Sequence, residues 1–386
     1  MKNLLRLMYS AINCNLKHEQ LTKINNIHAI LQKNRVTPLF YYAIEKNKTN
    51  IISSDELTKL KNETIALGVI SFHQELAFNV LANKFNEANI RLIAFKGIVL
   101  KNLYPKKEMR AMGDIDLIVD KEDYPKARKL ILEDLKYKLD HEDHSELCAT
   151  NAQNITIELH QQLVTELSNN QQYFYDTYQK HIVKEKNYYV FDINYHFIYM
   201  IDHIYKHFID GGLGLKYIYD FAVYVEKYPN VIKDSLNELE KLGLSNITLG
   251  FIQICNDYLG AEFSEQLALF KNRINNEALD TLLEIMMQYG EYGTVESRVN
   301  AKNVHGTFFK RMKKRLFPIV IRPCANKKWK VLNAIKDILI YPFRLIFYWI
   351  RFVFGNFKYI KTVFKNYSSL DKETKDNLSN MYDELK

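Results

Sequence analysis

The stretch Gly113-Asp114-Ile115-Asp116-Leu117-Ile118-Val119 determines the predicted fold, because two aspartates open a run that is otherwise apolar. Side chains two residues apart on a β-strand point to the same face of a sheet. The alternation therefore predicts a strand over residues 114–119 that presents both carboxylates on one face. Ile115, Leu117 and Val119 then face a core.

Apolar segments on either side of this strand predict an α/β arrangement. Residues 89–95 form a short apolar run that suits a buried strand, and Lys96-Gly97 ends it. Residues 122–136 have the apolar spacing of an amphipathic helix. A third strand is predicted over residues 155–160, where apolar and polar residues alternate. Strands and helices therefore alternate along this part of the chain.

The predicted fold class is α+β (mixed α/β), with a small sheet core flanked by helical regions. Ser53 and Glu56 have capping-box spacing, and they precede a run with helical periodicity. We expect the apolar residues of that run to form one buried face: Leu60, Leu67, Ile70, Ala77 and Leu81. The predicted units are a helical region (1–88), the α/β core (89–192), a helical domain that completes the cleft (193–300) and a basic, aromatic helical segment (301–386).

Composition and charge limit the function classes. The chain of 386 residues is 47% hydrophobic and 25% charged, as in a globular protein. Its net charge of +8 is concentrated in residues 301–365, which hold sixteen Lys and Arg against one acid, Asp337. The chain before residue 301 is slightly acidic, so a nucleic-acid surface over the whole protein is not indicated.

The beginning of the chain and its cysteines suggest an ordinary cytoplasmic protein. Arg6 interrupts the first apolar run and no small-residue cleavage site follows, which argues against a secretory signal. The four cysteines are far apart in sequence and suit small buried side chains rather than a metal or disulfide framework: Cys14, Cys148, Cys255 and Cys324.

Paired carboxylates on one strand face suit a divalent metal, because magnesium prefers hard oxygen ligands. Glu158 would be the natural third ligand if the third strand lies beside the second. A bare Asp-x-Asp pattern is common, so a solvated strand end with two surface aspartates remains the alternative.

Several motifs together resemble the uncharacterised nucleotidyltransferase family of the polymerase-β-like nucleotidyltransferase superfamily. The resemblance is carried by Phe95-Lys96-Gly97, Tyr104, Arg110, residues 114–119 and Ile157-Glu158-Leu159-His160. It extends more loosely to Thr37-Pro38-Leu39, the helix with His203 and His207, Asp220 and Leu316-Phe317-Pro318.

This resemblance implies transfer of a nucleoside monophosphate from an NTP, with ATP as the expected donor, to an acceptor. It also implies Mg²⁺ (or Mn²⁺) as the cofactor and Asp114, Asp116 and Glu158 as catalytic, metal-binding residues. The hypothesis is that both aspartates bind two metals while Glu158 binds the one that activates the acceptor hydroxyl.

The expected nucleotide-binding residues lie around the turn before the acidic strand: Lys96, Gly97, Arg110 and Gly113. The superfamily usually has Gly-Ser on this turn, but here Ile98 follows Gly97. Free amides at the start of the next short helix still favour phosphate, and Lys96 and Arg110 offer positive charge. For Lys96, an ordinary surface lysine at a strand end is the alternative.

A helix predicted over residues 194–208 carries His196, His203 and His207 on one face. A zinc site is not favoured, because no third ligand has convincing spacing. We expect a polar face that lines the cleft together with His160, Lys216 and Asp220. The alternatives are partly exposed histidines and a routine pair between Asp220 and Lys216, four residues apart.

Residues 335–364 combine an apolar, aromatic run with basic residues. Arg344 and Arg351 interrupt the run, so it falls short of a transmembrane span of about 20 apolar residues. Three interpretations stay open: a helix on an anionic membrane surface, a basic lip that receives a phosphorylated or nucleic-acid acceptor, and a terminal helix packed on the core.

Two other functions remain alternatives to nucleotidyl transfer. A glycosyltransferase would use the aspartates to hold a metal-bound nucleotide sugar. A catalytically silent adaptor would keep the fold and bind nucleotide, membrane or a partner chain, and the missing serine after Gly97 supports it. The acceptor class stays open, nucleic acid included.

Overall fold

A computed structural model describes residues 1–13, 27–143, 145–161, 163, 170–294, 297 and 372–386. The strands in these ranges are β1 (Ile93–Ala94), β2 (Asp114–Ile118), β3 (Lys138–Glu142), β4 (Glu146–Thr150), β5 (Thr156–His160), β6 (Ile182–Lys184) and β7 (Tyr189–Phe191). The helices are α1 (Lys2–Ser10), α2 (His28–Lys33), α3 (Thr37–Asn47), α4 (Ser54–Glu87), α5 (Gly97–Leu100), α6 (Tyr124–Lys129), α7 (Gln171–Thr177), α8 (Ile193–Asp210), α9 (Lys216–Lys227), α10 (Val231–Lys241), α11 (Ser245–Ile254), α12 (Ser264–Leu267), α13 (Asn276–Tyr289) and α14 (Lys372–Leu385). Short 3-10 turns cover Lys101–Leu103, Lys107–Met109 and Tyr178–His181, and π turns cover Leu130–Asp134 and Cys255–Leu259.

The described strands form one mixed sheet in the order β3-β4-β5-β2-β1-β7-β6. The β5–β2 and β1–β7 pairs are parallel, and the other neighbours are antiparallel. The predicted α+β class is confirmed, because helices that precede the strands in the sequence and helices that follow them pack on this sheet. The central pair β2–β5 is the one that carries the acidic residues.

The two faces of β2 enter different surroundings, as the alternation predicts. Ile115 and Leu117 are fully buried in a core that also contains Ile157 and Leu159 of β5. The helical side chains of this core come from α4 and α6 and include Phe78, Leu81, Phe85 and Ala127. Phe95 and Ile118 belong to a second core, with the apolar residues of α1, α3, α8, α9 and α11.

The structure adds a hairpin that the sequence pattern did not predict. β3 and β4 lie between the predicted helix and the strand with Glu158, so the predicted third strand is β5. All five residues of β3 are exposed, and an edge strand with two solvated faces shows no apolar alternation. The first predicted strand shortens to β1, and the helix predicted over residues 122–136 becomes α6 followed by the π turn.

Helix α4 begins where the capping pattern predicts, because the Ser53 hydroxyl accepts the Glu56 amide at 3.2 Å. The predicted buried face is wrong in part: Leu60, Ala77 and Leu81 are buried, but Ile70 is 43% exposed. The buried face passes instead through Ser71 and Gln74. The physical reason is Lys101, a fully buried lysine whose ammonium donates to the Ser71 hydroxyl at 2.6 Å.

Large apolar side chains are exposed along one stripe of α4: Ile65, Val69, Phe72, Leu76 and Val80. By length and composition alone α4 could cross a membrane, and 33% of its most apolar stretch is buried in the protein. Core helices of soluble proteins pass the same test.

Several predictions concern residues outside the described ranges. These are the basic aromatic segment 335–364, Leu316-Phe317-Pro318, Cys14 and Cys324. Cys148 and Cys255 are buried free thiols, as expected of small apolar side chains. The division into four units at residues 88, 192 and 300 stays a prediction.

Candidate active site

The three acidic residues predicted from the sequence lie on one face of adjacent strands. In the parallel β2–β5 pair, Asp116 is directly opposite Glu158, and Asp114 is opposite Thr156. Residues two apart on β2 share a face, so Asp114 lies beside the Asp116–Glu158 pair. The predicted neighbour relation between the second strand and the Glu158 strand is therefore present.

Asp116 is the centre of the contacts on this face. The residue is 5% exposed, and its Oδ1 accepts from the Lys96 ammonium at 2.6 Å. The same oxygen lies 3.1 Å from Nε2 of His160, which in turn lies 3.6 Å from Oε2 of Glu158. Asp116, Glu158 and His160 each offer a ligand atom, and these atoms lie within 4.8 Å of one another.

The pKa values on this face show an excess of negative charge. Burial, together with Asp114 and Asp116, raises the pKa of Glu158 to about 8. Burial and Asp116 also raise the pKa of Asp114. Burial would raise the pKa of Asp116 too, but Lys96 and His160 outweigh burial and lower that pKa to about 2. One lysine neutralises one carboxylate, so a divalent cation would stabilise the other two.

The turn before β2 brings Lys96 into this group. Lys96 has φ 55° and ψ −130°, an unusual backbone conformation for a residue with a side chain. A Cβ on the following Gly97 would lie 3.2 Å from Cβ of Met112, so the tight approach favours glycine. Helix α5 after it has only four residues, which limits its dipole as a source of phosphate affinity. Lys96 forms an ion pair with Asp116, so it is not the ordinary surface lysine that was the alternative.

Arg110 is held in a buried ion pair rather than left open for phosphate. Its Nε and Nη2 donate to Asp220 at 2.9 Å, and its Nη1 donates to the carbonyl of Ala111. The Tyr104 hydroxyl donates to the same carboxylate at 2.8 Å. The pair between Asp220 and Lys216, given above as an alternative, is not formed, because Asp220 binds Arg110 and Tyr104 while Lys216 contacts Glu291. Arg110 ties the loop before β2 to α9, and its direct contact with nucleotide stays a prediction.

Two further cations meet a single carboxylate beside Gly113. Nε of Arg35 lies 2.8 Å from Oε2 of Glu291, and the Lys216 ammonium contacts the other oxygen, Oε1. Lys216 and Glu291 are both 7% exposed. The guanidinium of Arg35 covers Gly113 so closely that a Cβ there would lie 2.9 Å from Nη1. Gly113 thus leaves room for Arg35.

The predicted histidine face of α8 lines the same cavity. Nε2 of His203 lies 3.2 Å from Nε2 of His207, whose Nδ1 lies 3.1 Å from the carbonyl of Gly212. Burial lowers the pKa of His196 and of His207 to about 4 and lowers that of His203 well below its usual value, so all three are neutral at pH 7. The His203–His207 pair belongs to no group of three metal-ligating side chains among the described residues.

These groups surround one cavity of about 420 Å³, a volume typical of small-molecule sites. Its lining includes every candidate residue predicted from the sequence: Lys96, Gly97, Arg110, Gly113, Asp114, Asp116, Glu158, His160, His203, His207, Lys216 and Asp220.

The cavity lining also contains five residues that were not predicted from the sequence: Glu146, Arg35, Glu291, Tyr199 and Lys206. Glu146 sits on the unpredicted β4, directly opposite His160, and its Oε2 lies 3.3 Å from His160 Nδ1. Lys206 could have been found, since it lies next to His207 on α8. Nothing in the local sequence around Arg35 or Glu291 marks either as a site residue.

Comparison with known protein families gives one match. A family model described as "Uncharacterised nucleotidyltransferase" matches residues 21–260, more than half of the chain. The match contains the whole acidic face, both turn residues and the histidine helix, and it ends before Glu291. No match was found among curated proteins or among solved structures.

Proposed function

The chain belongs to the uncharacterised nucleotidyltransferase family and is a transferase, and we propose that it moves a nucleoside monophosphate from an NTP to an acceptor hydroxyl. The acceptor oxygen forms a bond to the α-phosphorus, and the bond from that phosphorus to the oxygen bridging the β-phosphate breaks. Pyrophosphate leaves, and the hydroxyl proton is released. The family implies an NTP donor and an acceptor, and ATP is the donor we propose.

The observation that carries this proposal is the register of the two acidic strands. Asp116 faces Glu158 across the parallel β2–β5 pair, and Asp114 is on the same face. Three carboxylates that converge beside one cavity are the arrangement that metal-dependent phosphoryl chemistry needs. Among the described residues, one lysine, Lys96, contacts these carboxylates, and it balances only part of their charge.

A divalent cation fits these residues, and Asp114, Asp116 and Glu158 would hold it. The raised pKa values of Asp114 and Glu158 support this, because crowded carboxylates without a cation keep their protons. Oxygen donors favour Mg²⁺ or Mn²⁺ over softer metals, and these are the ions we propose. When bound, the cation would stabilise the negative charge of the phosphates.

The protein's own side chains orient the acidic face. Lys96 holds Oδ1 of Asp116 and keeps this carboxylate ionised. His160 contacts the same oxygen from β5 and is itself braced by Glu146. The neutral histidines of α8 provide uncharged hydrogen-bonding groups on the cavity wall, where we place the base or the acceptor.

The experiment uses each of the four NTPs labelled at the α-phosphate, with Mg²⁺ or Mn²⁺ and a cell extract. Nucleotidyl transfer predicts label on an acceptor together with release of unlabelled pyrophosphate. A glycosyltransferase would instead transfer sugar from a nucleotide sugar without pyrophosphate. A catalytically silent adaptor would label nothing with any NTP, and that result would contradict the proposal.

Membrane association through residues 335–364 is a separate proposal, based on their aromatic and basic composition. It would make the protein cytoplasmic but bound to an anionic surface. Sedimentation with anionic liposomes at low salt tests it. Protein that stays in the supernatant would contradict membrane binding without affecting the proposed reaction.

A further inference from the structure

Glu291 joins two cations that come from distant parts of the chain. Arg35 follows α2, Lys216 begins α9, and both side chains reach the Glu291 carboxylate. Two positive charges share one negative charge here, so the group carries a net positive charge inside the cavity lining. The Arg110–Asp220 pair differs, because its single positive charge is fully balanced.

The cation pair lies within electrostatic reach of the acidic face. Lys216 and Arg35 both act to lower the pKa of Asp114, against the effects of burial and Asp116. Arg35 also touches Gly113, the residue directly before Asp114. An anion bound between Arg35 and Lys216 would therefore lie beside the carboxylates that we propose to hold the metal.

The contact between Glu291 and Arg35 is not a well-formed hydrogen bond. Oε2 of Glu291 is buried and close to Nε of Arg35, but it has no hydrogen-bond partner among the described residues. A buried carboxylate oxygen without a hydrogen bond is costly. Arg110 again provides the contrast, since it forms a bidentate pair with Asp220. The Arg35 site is thus incompletely satisfied by the carboxylate.

Glu291 lies on a short loop between Gly290 and Gly293. Gly290 and Gly293 flank the segment with φ +69° and φ +60°, conformations that favour glycine. The Glu291 amide donates to the carbonyl of Lys33 at 3.1 Å. This backbone contact, close packing at Gly211, the hydrogen bond from Arg35 to the Tyr292 hydroxyl and the carboxylate itself hold the loop.

We infer that Arg35 and Lys216 form a binding site for the triphosphate of the donor, and that Glu291 occupies it as an internal anion until phosphate oxygens replace the carboxylate. The inference rests on the proposed function for the identity of the donor. Guanidinium and ammonium groups are the usual partners of phosphate. The turn Lys96-Gly97-Ile98 lacks the serine hydroxyl and has Lys96 as its positive charge. The Arg35–Lys216 site would add two further positive charges for phosphate.

The test measures binding of inorganic tripolyphosphate to the full chain by calorimetry, in EDTA and at constant ionic strength. Glu291→Gln removes the competing charge, so affinity should rise roughly tenfold. The double variant Arg35→Met, Glu291→Gln should lose that gain. Glu240→Gln, an exposed charge on α10, is the matched control and should leave affinity unchanged. Unchanged or weaker binding by Glu291→Gln would overturn the inference.

Hydrogen exchange on the unaltered protein provides a second test in case Glu291→Gln fails to fold. Saturating tripolyphosphate should speed exchange at the Glu291 amide, because the displaced loop releases its bond to Lys33. Unchanged or slower exchange there would contradict displacement. Neither test contains metal or measures nucleotidyl transfer. Both can therefore support the phosphate site while the transferase assay fails, and the transferase assay can succeed while both tests fail.

Discussion

Asp116 and Glu158 are direct neighbours across two parallel strands, although 42 positions separate them in the sequence. Their side chains share a face with Asp114, and Lys96 is the cation in contact with Asp116. This relationship connects the predicted strand pattern to the proposed chemistry, because each carboxylate comes from a position that the sheet fixes.

Metal binding should stabilise the protein through these carboxylates. Mn²⁺ at a hundred times its dissociation constant should raise the free energy of unfolding by about 2.7 kcal/mol. Asp116→Asn should lose most of this increment at the same Mn²⁺ concentration, since it removes a charged ligand. Urea denaturation with and without Mn²⁺ measures the increment, and Asp234→Asn, exposed on α10, is the control. A full increment in Asp116→Asn would exclude this carboxylate as a ligand.

The buried Arg110–Asp220 pair should contribute to folding rather than to phosphate affinity. Among the described residues, Arg110→Met leaves Asp220 with only the Tyr104 hydroxyl as partner, and the change should cost roughly 3–5 kcal/mol in unfolding free energy. The double variant Arg110→Met, Asp220→Leu should cost less than Arg110→Met alone, because no buried charge remains. Urea denaturation gives both values. A stable Arg110→Met protein with reduced tripolyphosphate affinity would restore the direct role expected from the sequence.

His196 should make the protein sensitive to acid. Burial lowers its pKa from 6.5 to about 4, and the charge of Asp220 opposes this shift. The folded state therefore excludes a proton that the unfolded state takes up, and stability present above pH 6.5 is lost as pH falls toward 4. The loss from this one residue should be about 3 kcal/mol.

His196→Phe tests this pH dependence. Nε2 of His196 has no hydrogen-bond partner among the described residues, so the change should alter stability at pH 7 only slightly. Denaturation at pH 7 and at pH 4.5 should show a smaller acid loss than in the unaltered protein. An equal loss would show that His203, His207 or other groups account for the acid sensitivity.

Local alternation was sufficient to predict the acidic face, whereas long-range ion pairs were not predictable. β2 and β5 each alternate buried and site-facing residues, so their period of two is visible in the sequence. β3 carries no such signal because both of its faces are exposed. Arg35 meets Glu291 only through the tertiary fold, and no spacing rule connects residues so far apart.

The error on α4 has a related cause. A periodic apolar pattern predicts a buried face only when apolar groups pack against that side of the helix. On α4, the buried ammonium of Lys101 packs there and donates to the Ser71 hydroxyl. The exposed stripe from Ile65 to Val80 lies on another side of α4 and contains none of the residues predicted for the buried face.

The central claim is that the carboxylates of β2 and β5 support metal-dependent nucleotidyl transfer. The most direct measurement is pyrophosphate release from NTP, with Mg²⁺ or Mn²⁺ and the labelled acceptor, for Asp116→Asn, Glu158→Gln and the exposed controls Asp234→Asn and Glu240→Gln. We predict a loss of at least about a hundredfold in each site variant, which is about 2.7 kcal/mol of transition-state stabilisation, and unchanged rates in the controls. Full metal-dependent turnover by Asp116→Asn or Glu158→Gln would contradict the claim.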